Sequence, residues 1–202
     1  MGDNLEKIRK SFKGEEIRDL VIVALMATLI LSIPDIKSNL LIYLPLVFVG
    51  FFLRQLGHKI LADKLQCTTT FKLWYLGFFI SIISVFLKVY GIVFLALGYI
   101  EIVPYKFGRW GIKLIRMTPR DYAHISLAGI GVNFILLTIF GILYTINPID
   151  IFQKIAFVNG LLSFFSLLPI PPLEGSHVFT WSLWTWATIF FFNTLFLIVI
   201  MA

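Results

Sequence analysis

One cysteine in 202 residues, Cys67, removes two devices at once: an intramolecular disulfide and a cysteine pair for a metal. Charged residues are also scarce, at 14% of the chain, and the basic ones stand between hydrophobic runs without interleaved exposed aromatics. A net charge of +6 therefore points to loops held on the cytoplasmic side of a membrane, and no nucleic-acid partner is expected. No small-residue cleavage site follows the first apolar stretch. Lys7, Arg9, Lys10 and Lys13 before it are mixed with Glu6, Glu15 and Glu16, a pattern that predicts a retained helix rather than a signal peptide. Few charges lie inside the apolar runs and no inverted repeat is evident, which gives a transporter little support.

What the chain has in excess is apolar surface: 59% of residues, with a mean hydropathy of +0.92. Apolar runs cover Leu20 to Ile33, Leu40 to Leu53, Trp74 to Leu87, Ile125 to Ile146, Ile155 to Ile170 and Phe179 to Ala202. Against roughly 20 residues per spanning helix, they predict an all-α polytopic membrane protein with about five or six membrane-embedded helices. Residues 1–18 are expected to form a charged cytoplasmic tail and 19–202 a single transmembrane domain. The tail, the Lys59 to Lys72 region and the Lys106 to Arg120 loop carry most of the Lys and Arg, so all three are expected on the cytoplasmic side of the cell membrane. That topology requires Trp74 to Val103 to enter and leave on one side. The β-branched and aromatic stretch from Gly91 to Val103, with Gly98 at the bend, is expected to return as a small membrane-associated β-hairpin.

Two segments carry chemistry. Leu53-Arg54-Gln55-Leu56-Gly57-His58-Lys59-Ile60 closes an apolar stretch and nearly matches H-E-x-x-H, in which two histidines one turn apart reach one zinc and the glutamate activates its water. Here Arg54 stands at the first ligand and Gln55 at the base. The second segment, Phe165 to Gly175, sets Pro169, Pro171 and Pro172 beside Glu174 in apolar surroundings. Proline removes backbone donors, so this element should pack against protein or line a cavity, and a carboxylate at membrane depth demands a partner.

Taken with these two segments, Ser126-Leu127-Ala128-Gly129-Ile130-Gly131-Val132-Asn133 completes a resemblance to the site-2 proteases, the intramembrane zinc metalloproteases of peptidase family M50, in their short archaeal-type form. The first block stands where that family has H-E-x-x-H. The second resembles its S-L-A-G-P-x-x-N helix, with Ile130 in the proline position. The third resembles N-x-x-P-x-x-P-x-D-G, with Ser166 at the asparagine and Glu174 at the ligand aspartate. The resemblance covers roughly residues 20 to 180. It implies that His58 and Glu174 are metal-ligand positions, that Gly129 and Asn133 are helix-packing positions near the site, and that Ser166, Pro169, Pro171, Pro172 and Gly175 belong to the substrate-groove element.

Arg54 and Gln55 inherit no catalytic role, since arginine has no lone pair for a metal and glutamine is not a base. The expectation is a catalytically inactive homologue, a pseudoprotease that binds or regulates transmembrane helices of other membrane proteins within the bilayer. The alternative is an active zinc endopeptidase with a rearranged ligand set. No cofactor is expected, with Zn2+ only if the residual site binds metal. Arg54 is expected either to replace the cation and meet Glu174 in a bidentate pair, or to snorkel to the interface. A rival metal set uses His58, Glu174 and His177, while His124 and His177 also read as polar tips among Trp181, Trp184 and Trp186.

Overall fold

Local breakers set the helix boundaries. Helix α1 (Gly14–Ser32) stops before Pro34 and α2 (Ile36–Lys64) starts just beyond it, keeping Pro45 inside its length. After α2 the chain turns through Gln66, at φ 60°, into β1 (Thr68–Leu73), whose three consecutive threonines favour extended backbone. Helix α3 (Tyr75–Leu87) follows, then the strands β2 (Gly98–Val103), β3 (Tyr105–Gly108) and β4 (Gly111–Leu114). Helix α4 (Pro119–Ile146) opens on a capping box in which Thr118 accepts the Asp121 N–H and the Asp121 carboxylate accepts the Thr118 N–H. Pro119 fits the first helical position, where no N–H is needed. Helices α5 (Asp150–Ser166), α6 (Glu174–Trp181) and α7 (Leu183–Met201) complete the described chain. This computed structural model describes residues 14–87, 93–108, 111–114 and 116–201.

Three of the described helices, Ile36–Lys64, Pro119–Ile146 and Leu183–Met201, are long and apolar enough to cross a membrane, which marks a membrane protein with fewer spans than the five or six expected. The shortfall has local causes. The apolar part of α1 is continuous with Glu15, Glu16, Arg18 and Asp19, and the described lengths of α3 and α5 are 13 and 17 residues. The Phe179 to Ala202 run is divided at Ser182, which adopts extended backbone. Residues 1–13 of the expected tail lie outside the described residues, and residues 14–18 form the first turns of α1.

The expected hairpin within Gly91 to Val103 takes a different form. Gly91 and Ile92 lie outside the described residues, residues 93–97 are irregular, and β2 pairs antiparallel with β1, from Thr68 opposite Val103 to Leu73 opposite Gly98. Strand pairing joined segments flanking α3, while the local hairpin is the separate β3–β4 pair. Helix α4 lies against α2, α5, α6 and α7, and α2 also meets α1 and α5. The main core, from Val23 and Ala27 of α1 through Phe51, Phe71 and Ile125 to Leu162 and Phe165, lies under the sheet and between these helices. Asn193 of α7 joins α5 inside this bundle by donating to the Gly160 carbonyl at 3.2 Å and accepting from the Ser163 hydroxyl.

Candidate functional site

Arg54 and His58 are one turn apart on α2 and so share a face, directed toward α4 and the start of α6. Both are buried, and Arg54 is left only 3% exposed. An ion so deep requires a counter-ion. The Nη2 of Arg54 donates to Glu174 Oε1 at 2.6 Å, closing a buried ion pair across 120 residues of sequence. Glu174 is the first residue of α6, where the helix dipole also favours a carboxylate.

The pair is single-armed, whereas a bidentate contact was expected. Glu174 turns Oε2 away from the guanidinium and toward His58 Nε2, 3.4 Å away, and Arg54 Nε has no hydrogen-bond partner. The His58 ring is held from behind, with Nδ1 2.8 Å from the Ile125 carbonyl. A carbonyl only accepts, so Nδ1 carries the proton and Nε2 is the nitrogen presented to Glu174.

Helix α4 makes room for this ring through Gly129. A Cβ there would lie 2.0 Å from His58 Nε2 and 2.2 Å from Cε1, so no larger residue fits while the ring stays. Ser126 and Asn133 share the buried side of α4 with Gly129, and the Asn133 amide has no hydrogen-bond partner. Gln55 is likewise fully buried with both amide atoms unpartnered.

The proline element joins α5 to α6 and sets where Glu174 stands. Ser166 turns its hydroxyl back to the Leu162 carbonyl at 2.6 Å, so it does not reach the ion pair. Past Pro169, Pro171 and Pro172 the chain folds over its own start: a Cβ on Gly175 would lie 2.1 Å from the Leu167 carbonyl oxygen. That same carbonyl accepts the Trp186 indole N–H at 2.7 Å, tying α7 to the turn. His177 faces elsewhere, with its ring 5.6 Å from that of Tyr122, and His124 meets Trp181 edge-on at 5.1 Å.

A second buried ion pair escaped the sequence reading. Lys59, the residue after His58, donates to Glu16 Oε2 at 2.9 Å, with Glu16 only 1% exposed. Its signal was a lysine inside a buried helix and a glutamate heading an apolar one, but Glu16 reads equally as part of a charged tail.

A protein of Methanocaldococcus jannaschii named "Putative zinc metalloprotease" is 33% identical to this chain over 186 residues, which cover 88% of the chain and 90% of that relative. The chain belongs to this zinc metalloprotease family. No family model matches the chain, and no solved structure matches it.

Membership raises the question of whether these residues fit zinc. A tetrahedral zinc site takes lone pairs from His, Cys, Asp or Glu. Arg54 brings only N–H donors to the space beside Glu174, and its charge repels a cation. Among the described residues no three His, Cys, Asp or Glu side chains come together as a ligand set, so His58 and Glu174 are not joined by His177. The donor set of this zinc metalloprotease relative does not fit the metal its family name implies.

Proposed function

We propose that the chain is a non-proteolytic member of the site-2 protease type, peptidase family M50, in which the Arg54 guanidinium takes the place of the metal. The observation that carries this reading is the buried Arg54–Glu174 contact at 2.6 Å, beside an unpartnered Gln55 amide where the general base would stand. Further support comes from the meeting of three separated sequence blocks around one ring: Arg54 and His58, then Gly129, then Glu174. Losing a general base costs about a hundredfold to ten-thousandfold, and an amide cannot supply the function. What is retained is a scaffold that binds or regulates transmembrane helices of other membrane proteins in the bilayer of the cell membrane, with the N-terminus and the basic loops on the cytoplasmic side. The proline-broken turn before α6 provides the irregular backbone for such contact.

One observation favours a second reading, an active enzyme with a rearranged ligand set. His58 Nε2 and Glu174 Oε2 are 3.4 Å apart, and neither has a hydrogen-bond partner. Two ligands of one tetrahedral zinc stand about 3.4 Å apart when each bond is about 2.05 Å.

Elemental analysis of detergent-purified protein separates the two. The proposal expects no stoichiometric zinc in the parent and stoichiometric zinc in a variant combining Arg54→His, Gln55→Glu and Glu174→Asp. About one zinc per parent chain, lost in Glu174→Ala, overturns the proposal and supports the rearranged enzyme.

A further inference from the structure

Among the described residues, one edge of β1 is paired with a strand, β2. Thr68, Thr70 and Lys72 stand opposite Val103, Glu101 and Tyr99, and the Trp74 N–H continues toward β2 by donating to the Leu97 carbonyl at 2.9 Å. Antiparallel pairing alternates, so Thr69, Phe71 and Leu73 direct their backbone groups to the opposite edge. Side chains meet that edge. The Phe71 N–H donates to Glu16 Oε1 and the Leu73 N–H to Asp19 Oδ2, each at 3.2 Å. The Lys59 ammonium donates to the Thr69 carbonyl at 3.2 Å and to Glu16 Oε2 at 2.9 Å.

The match follows from two periodicities. Carboxylates three residues apart on a helix share a face with a rise of about 4.5 Å, and alternate strand amides recur about every 6.6 Å, a difference that Glu and Asp side chains span. Helix α1 thus supplies the acceptors that a third strand would bring to an open edge. Beside this edge lies a cavity of about 480 Å³ bordered by Glu15, Asp19, Leu73, Tyr75, Tyr99 and Pro172. Pro172 belongs to the turn that carries Glu174, so the cavity reaches that turn two residues before Glu174.

We propose that α1 is a latch: Glu16 and Asp19 hold the free edge of β1, and the cavity beside it, closed to any other backbone. Lys59 fixes Glu16 in the closed position and follows His58 on α2, so the latch and the Arg54–Glu174 site share one helix. Releasing α1 leaves the Phe71 and Leu73 amides without acceptors, which creates a demand that an extended segment can meet. The latch does not depend on whether the chain binds zinc or cleaves anything.

Cys67 is a built-in reporter, a single buried thiol immediately before β1. The test measures hydrogen exchange of residues 68–73 and the rate of Cys67 alkylation in full-length protein in nanodiscs. Glu16→Gln combined with Asp19→Asn and with Lys59→Met, which removes the ammonium together with its counter-ion, is expected to raise both rates about tenfold, as weakening of hydrogen bonds to charged acceptors requires, with exchange in α4 and α5 unchanged. The single Asp19→Asn, a milder change at a partly exposed residue, is expected to raise exchange at Leu73 alone. Unchanged rates in both variants overturn the latch. So does an equal rise throughout α4 and α5, or an equal rise in Glu15→Gln, whose carboxylate lines the cavity without holding the strand.

Discussion

Gly129 lies directly against the face of His58, so that a methyl group in its place would enter the imidazole ring. Two residues further on, Gly131 has open space around its missing side chain. The same helix thus contains one glycine that the site requires and one that it does not.

Gly129→Ala is expected to destabilise the protein by about 1 to 3 kcal/mol through overpacking against His58. Gly131→Ala should be neutral, or stabilising by up to about 1 kcal/mol, because alanine is the better helix former. Thermal unfolding in detergent compares them, and equal midpoints for the two variants would contradict the packing argument.

Arg54→Ala and Glu174→Ala should each cost about 3 to 5 kcal/mol, since each leaves a buried charge without its counter-ion. Replacing both with methionine should cost far less than the sum, because an apolar pair of similar volume removes the desolvation penalty of both ions. A double-mutant cycle on thermal stability reads the coupling; additive effects mean that Arg54 and Glu174 do not act on each other.

Gln55→Met is expected to stabilise the protein by about 1 kcal/mol or more, because the native amide is fully buried with neither polar atom satisfied. A loss of stability in Gln55→Met shows instead that the amide has a partner worth keeping.

Lys59→Met should destabilise by about 3 to 5 kcal/mol, leaving the buried Glu16 carboxylate uncompensated. Adding Glu16→Gln to Lys59→Met should recover part of that loss. If the second change deepens the loss, Glu16 is not held for its charge.

Much of this site was legible in one dimension. The H-E-x-x-H spacing, with arginine and glutamine at two of its positions, and the three prolines before Glu174 are local patterns, and the structure brings Arg54, His58, Gly129 and Glu174 together. The one-armed geometry of the pair was not legible, because it depends on how α6 sets the second carboxylate oxygen beside the His58 ring. Nor was the partner of β2. Strand pairing is set by neighbours distant in sequence, and β1 lies on the far side of α3.

The sequence by itself determined the solvent and the chemical inventory: an apolar chain with runs long enough to enter a membrane, and an arginine and a glutamine within a spacing close to H-E-x-x-H. Hydrophobicity, helix length and the lack of a lone pair on guanidinium are properties of residues and short segments, so they survive without a fold. The tertiary structure decided which charges neutralise one another, joining Arg54 to Glu174 and Lys59 to Glu16. Burial makes an unpaired ion costly wherever it lies in the chain, and only three-dimensional packing determines which counter-ion comes within reach.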